Sequence, residues 1–190
     1  MSGAIRALVV YESMYGNTEK IAEAIATGLR QTMPADVVPA YRAPTVLLGD
    51  VRLLVVGGPT HAFSMSRAST RQDARKQHDV VMPIDVGIRE WLGMLAEDAG
   101  STSGRAVRTA EVATFDTRIA KVRRLPGSAA RSSAKVLRRL GFRLRGSASF
   151  FVDESTGPIR EVEVERARHW GEDLGRLLTG SRAAAWGVGQ

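Results

Sequence analysis

The sequence predicts an α/β fold, a three-layer αβα sandwich built on a five-stranded parallel sheet. Three observations carry this. Apolar, β-branched runs such as Ile5 to Val10 and Leu53 to Val56 lack the polar alternation of a half-exposed sheet, so their strands are expected to be covered on both faces. These runs alternate along the chain with stretches whose apolar residues recur at spacings of three and four, the period of a helix. Alternation of strand and helix then requires right-handed crossovers, which place helices on both sides of the sheet.

The first strand is interrupted only by Arg6, and a polar, glycine-containing turn leads into a helix from Thr18 to Arg30. Ile21, Ala22, Ile25, Ala26 and Leu29 share its apolar face; Asn17 or Thr18 is the expected cap, with Glu19 in the first turn. Asp36 to Ala40 reads as a short strand, Val46 to Leu48 as a brief apolar segment and Leu53 to Val56 as the third strand. After Gly57, Gly58 and Pro59 a polar stretch runs to Met82, and Ile88, Trp91, Leu92 and Leu95 mark the next helix. Ala106 to Phe115 is the fourth strand, Ser128 to Leu140 a helix stopped by Gly141, Ser147 to Val152 the fifth strand and Glu161 to Leu178 the last helix. Trp91 and Trp170 fall on apolar helical faces and are expected in the core. Residues 1–180 are expected to form one domain, and 181–190 a flexible tail in which Trp186 is a candidate homodimer contact.

Composition narrows the function. With 190 residues the chain has room for one well-packed core. It has no apolar run long enough for a membrane span and no signal-peptide pattern, and is expected to be soluble and cytoplasmic. The absence of cysteine excludes disulfides, iron–sulfur clusters and dithiol chemistry, so any redox work needs a bound organic cofactor. The formal net charge of +7 comes from unevenly placed cations. One group is Arg67, Arg71, Arg75 and Lys76; a larger one runs from Arg118 through Lys121, Arg123, Arg124, Arg131, Lys135, Arg138, Arg139 and Arg143 to Arg145. Such a field attracts an acidic protein, a phosphorylated ligand or nucleic acid, and a solvated face is the simpler reading. Nucleic acid is not expected, because the groups lack interleaved aromatics.

The segment Tyr11-Glu12-Ser13-Met14-Tyr15-Gly16-Asn17-Thr18 places hydroxyls, an amide side chain and backbone N–H groups at a helix start. A helix N-terminus binds an anion through its unsatisfied N–H groups and dipole, and Gly16 allows a sharp turn close to a phosphate. Without a Walker lysine or a G-x-G-x-x-G pattern, the expected guest is a monophosphate ester; helix capping alone is the competing reading. This loop resembles the flavodoxin fingerprint, whose hydroxyls and amides bind the phosphate of flavin mononucleotide (FMN). The resemblance extends over residues 5 to about 178, corresponds to the short-chain form and implies strand order 2-1-3-4-5. It implies Ser13, Met14, Tyr15, Gly16, Asn17 and Thr18 as phosphate-binding residues.

Gly57-Gly58-Pro59-Thr60-His61-Ala62-Phe63 resembles the first flavin-ring loop of that family. Pro59, Thr60, His61, Ala62 and Phe63 are thereby candidate cofactor contacts. His61 falls where many flavodoxins have a stacking aromatic. Ala62 falls where they have a glycine whose peptide flips towards flavin N5. A non-glycine residue disfavours positive φ, which tilts the expectation from a one-electron shuttle to two-electron chemistry. With the alignment shifted by a residue, Phe63 becomes the ring contact. Thr114-Phe115-Asp116-Thr117-Arg118 resembles the second flavin-ring loop. The resemblance implies ring contact by Phe115 and acceptance from flavin N3–H by Asp116, with Thr114, Thr117 and Arg118 beside them; a surface pair of Asp116 with Arg118 is the alternative. A nearby arginine would stabilise an anionic reduced flavin.

The resemblance implies an FMN-dependent redox protein, either a carrier that delivers electrons to a partner protein or a reductase of a small acceptor such as a quinone. In the second case the Ser64 to Met82 segment would wall a substrate opening, and its cations are candidates for the phosphate of a nicotinamide donor. An interaction or regulatory module on the same fold, without redox turnover, is the alternative. A phospho-acceptor receiver domain is disfavoured, since strand three ends in Val55-Val56-Gly57 without an aspartate. No two histidines have metal-ligand spacing, and no metal is expected. His78 reads as solvated, His169 as structural, and His61 as a contact or a proton donor.

Overall fold

Six-residue strand β1 (Arg6–Tyr11) is the centre around which the molecule is built, and its side chains explain the layering. In the computed structural model, which describes residues 5–77, 83, 85–99, 110–154 and 156–186, Ala7, Val9 and Tyr11 point to one apolar layer. Leu8 and Val10 point to the other. Period two along a strand puts alternate residues on opposite faces, so a run that is apolar throughout needs cover on both.

That cover is supplied by α1 (Asn17–Leu29) and α5 (Glu161–Trp186) on one side. On the other side lie α3 (Ile88–Ala99) and α4 (Ala129–Arg139). The sheet order is β2 (Ala35–Pro39), β1, β3 (Val51–His61), β5 (Glu111–Ile119), β6 (Arg143–Val152), all parallel. This is the expected 2-1-3-4-5 order, with one addition: the two-residue β4 (Ser64–Met65) folds back antiparallel on the end of β3. Helices α1 and α5 touch backbone to backbone, since a Cβ at Gly28 would lie 2.0 Å from the carbonyl oxygen of Arg168 and one at Gly171 would lie 2.1 Å from that of Ile25. Trp91 is fully buried and donates from Nε1 to the carbonyl of Pro44 at 3.2 Å. Trp170 is half-buried against Phe150, with ring centroids 6.1 Å apart.

Several elements depart from expectation. The polar stretch after β3 contains a helix, α2 (Ala68–Gln77), which has no apolar period because its main buried group is an arginine, Arg71. Both β3 and β5 run further than their apolar cores, to His61 and Ile119, because the parallel ladder continues through Pro59↔Thr117 and Ile119↔Val152. Strand β6 begins earlier, at Arg143, and α5 continues past Leu178 to Trp186. Val46 to Leu48 forms no strand; Leu47 is buried while its neighbours are exposed. The cap of α1 is Gly16, at φ 79°, and not Asn17 or Thr18. His78, the proposed strand start at Ala106 and tail residues 187–190 lie outside the described residues. Among the described residues no helix is long and apolar enough to cross a membrane, and no group of side chains could hold a metal ion.

Candidate functional site

The carboxyl ends of β1, β3 and β5 open together beside the start of α1, because parallel strands all end on the same edge. A small cleft opens there. It is lined by Ser13, Met14, Tyr15, Asn17 and Thr18 from the first loop, by Pro59, Thr60 and His61 from β3, and by Thr117 and Arg118 from β5. Ile119 and Val152 complete the wall. Sequence reasoning missed Ile119 because it lies on the extension of β5 that the ladder with β6 creates, and Val152, the expected end of the fifth strand, because only that ladder brings it beside the cleft.

Two helix starts face this edge and differ in how they are capped. The first turn of α4 is closed by side chains: Thr60 Oγ1 accepts from the Ala129 amide at 2.9 Å, Asp116 Oδ2 from Ala130 at 3.0 Å, and Ser128 Oγ from Arg131 at 3.2 Å. The first turn of α1 has no such closure, since its cap is a glycine without a side chain. Its leading N–H groups lack intrahelical acceptors and carry the positive end of the dipole. Beside them the hydroxyl of Ser13 is buried without a hydrogen-bond partner. A buried hydroxyl without a partner is costly, and an anion at α1 would satisfy it.

The other hydroxyl and amide of the loop are engaged in the protein. Thr18 Oγ1 lies 2.7 Å from Thr117 Oγ1, tying α1 to the end of β5. Asn17 Oδ1 accepts from the Ile159 amide at 3.0 Å, tying it to the segment before α5. Met14 packs with Ala74 of α2. Tyr15 and His61 are half-buried at the rim. Burial pushes the His61 imidazole below its ordinary pKa, because desolvation disfavours the cation.

The structure divides the second ring loop: Thr117 and Arg118 line the cleft, while Thr114, Phe115 and Asp116 lie in the interior. Phe115 is fully buried in the α1/α5 layer, edge-on to Phe150 at 6.4 Å, and fills the space that a Cβ on Gly57 would occupy. It is a core residue and cannot reach a ligand in the cleft. Thr114 is buried and donates to Ser147 Oγ at 3.0 Å. Asp116 is buried as the α4 cap, not paired with Arg118. Arg118 instead donates from Nη2 to the carbonyls of Val122 and Leu125, at 2.9 and 3.1 Å. These residues lie within a strand, and the loop that follows it runs from Ala120 to Gly127.

Ala62 and Phe63 also lie outside the cleft lining. They form the two-residue turn between β3 and β4, with φ values of 45° and 66°, the positive pair that a type I′ hairpin turn demands. Both residues thus adopt the region that is disfavoured for a non-glycine residue. Pairing of Thr60 with Met65 and His61 with Ser64 holds the turn, and Phe63 rests against Gly127.

Behind the cleft, Glu12 is buried at the end of β1, where it accepts from Ser66 Oγ and, at 2.9 Å, from the Ile88 amide. Arg71 approaches it at 3.9 Å and donates to Ser66 Oγ at 2.7 Å and to Glu90 at 2.8 Å. Burial pushes the Glu12 carboxyl above its ordinary pKa, although Ser66, Ile88 and Arg71 oppose the shift. This network fastens the polar helix α2 to the sheet. Arg71 is thereby committed to the protein and is not a free cation for a donor's phosphate.

Comparison with known proteins agrees with this architecture. The flavodoxin family model matches residues 9–78. A flavodoxin from the domain Archaea superposes with a TM-score of 0.60 at 18% identity, covering 92% of this chain and 99% of that one. The chain has a flavodoxin-like fold. A Streptococcus pneumoniae flavodoxin gives a TM-score of 0.62 at 16% identity over 90% of this flavodoxin-like chain and 99% of its own. Oxidised flavodoxin 2 from Bacillus cereus gives 0.60 at 17% identity over 94% and 99%. No curated protein matches the sequence. Flavodoxins are FMN-binding proteins. The matched family segment spans the first loop and β3, the two parts of the chain that line most of the cleft.

Proposed function

We propose that this flavodoxin-like protein binds FMN non-covalently in the cleft and uses it for redox work. It would carry electrons to a partner protein or reduce a small acceptor such as a quinone. The observation that carries the reading is the contrast between the two helix starts: α4 is closed by Thr60, Asp116 and Ser128, while α1 is open and has the unpartnered Ser13 hydroxyl beside it. The N-terminal amides of α1 and Ser13 would hold the phosphate. Pro59 to His61 and Thr117 to Ile119 would flank the ring. FMN supplies one- and two-electron chemistry that no side chain of this cysteine-free protein provides. Arg118, buried in the wall, contributes positive charge that favours an anionic ligand.

The test is to reconstitute the purified protein with FMN, remove excess by gel filtration and record visible spectra during stepwise anaerobic reduction. Stoichiometric retention is expected. A one-electron form accumulating midway would support the carrier, and direct two-electron passage the reductase. Failure to retain FMN at micromolar concentration would overturn both and leave an interaction module on this fold.

A further inference from the structure

All of the chain's net positive charge comes from one stretch. Between Asp116 and Asp153 there is no acidic residue and there are ten cations; taking those ten from the 27 leaves 17 against 20 acidic side chains in the rest. Arg118 is buried in the cleft wall and Arg145 is paired with Glu111. The others are exposed: Lys121, Arg123 and Arg124 on the loop after β5, then Arg131, Lys135, Arg138 and Arg139 along α4, and Arg143 at the start of β6. Among the described residues none of these eight has a carboxylate within ion-pair distance.

Arginine-rich composition does not account for this. On α5 the same chain pairs its arginines at helical spacing: Arg166 with Glu163, Arg168 with Glu165 and Glu172, Arg176 with Asp173. On α4, Arg131 and Lys135, and Lys135 and Arg139, stand four apart as like charges, an arrangement that weakens a helix. A stripe about 16 Å long on this eleven-residue helix is thus kept at a cost in stability.

The stripe has a direction. Its head is the loop that Arg118 ties to the cleft wall through Val122 and Leu125. There Leu125 is 44% and Phe63 50% exposed, and Phe63 touches Gly127 at the loop's end. Exposed apolar side chains rimmed by cations of one sign form a surface that another protein covers; a phosphate backbone would leave them in water. We propose that this loop and the exposed face of α4 dock an acidic face of a partner protein, seating it over the mouth of the cleft. The charge asymmetry of the molecule would steer that partner into place.

The test uses the full chain and three probes: a glutamate-rich peptide with interspersed leucines, a DNA duplex of matched charge, and phosphatidylserine vesicles. At about 0.15 M salt, where surface charges are screened beyond about 8 Å, the peptide should bind tightest. K135E/R138E should weaken it by roughly tenfold or more, with the α5-side control R160E/R176E unchanged. L125S should weaken the peptide and not the duplex. Tighter binding of duplex or vesicles, or equal effects of the two charge reversals, would overturn the proposal. FMN retention, measured in parallel, is expected to survive K135E/R138E; its absence in the wild type would sink the flavin reading and leave this one standing.

Discussion

The Asp116 carboxylate accepts a hydrogen bond from the Ala130 amide at 3.0 Å, closing the first turn of α4 from the end of β5. A side chain that caps a helix stabilises the fold whether or not a ligand is present. Asp116→Ala should therefore lower unfolding free energy by about 1–2 kcal/mol and leave FMN retention within a few-fold of wild type. Urea denaturation and flavin titration separate the two. A large loss of FMN affinity in a variant of unchanged stability would return Asp116 to the ligand set.

Ser13 caps no helix, whereas Asp116 does so through Oδ2 while its Oδ1 is likewise buried without a partner. The Ser13 hydroxyl is buried and makes no hydrogen bond within the protein, so Ser13→Ala should leave the flavin-free protein as stable as wild type or more so. Loss of one hydrogen bond to a charged phosphate should weaken FMN binding by roughly tenfold to a hundredfold. Unchanged affinity would show that the phosphate sits elsewhere.

The turn at Ala62 and Phe63 holds two non-glycine residues at positive φ. The left-handed region costs an L-residue about 1–2 kcal/mol, and glycine returns part of that gain to the unfolded chain. Ala62→Gly should then stabilise the protein by about 0.5–1 kcal/mol, read as a raised urea midpoint. Phe63→Gly relieves the same strain and removes the contact with Gly127, so its gain should be smaller.

His61 links stability to pH. Burial lowers its folded pKa below the ordinary value, so below that value the unfolded chain takes up a proton that the native state resists. This contribution is absent above the ordinary imidazole pKa. It grows as pH falls through it and levels off once the folded group also titrates. Compared with wild type, His61→Gln should show a shallower loss of stability on that acidic limb, measured as urea midpoints across the range.

Much of the site was legible because its chemistry is local. The first loop lies between an apolar run and an amphipathic helix, and hydroxyls around a glycine at that junction point to either an anion site or a helix cap. In the second ring loop the sequence did not separate Thr117 and Arg118, which line the cleft, from Phe115 and Asp116, which look like the end of a strand when apolarity alone is followed. Their burial depends on β6 extending the ladder to Ile119 and on α4 bringing its amides to Asp116. Nor could composition reveal α2, whose anchor is the ionic network of Arg71, Glu12 and Glu90 and not an apolar stripe.

The sequence by itself determined the layered architecture, the glycine-containing polar loop before α1 and the concentration of charge between Asp116 and Asp153; the strand order came only from the family resemblance. The first three follow from period, turn chemistry and counting, all carried by near neighbours in the chain. Only the tertiary structure decided which of two helix starts stays open, which arginines are paired and where the cationic stripe meets the cleft. Those outcomes rest on contacts between residues far apart in sequence, such as Thr60 with Ala129 and Thr18 with Thr117. A hydrogen bond satisfied across the fold removes a group from the binding surface, and no local pattern records that loss.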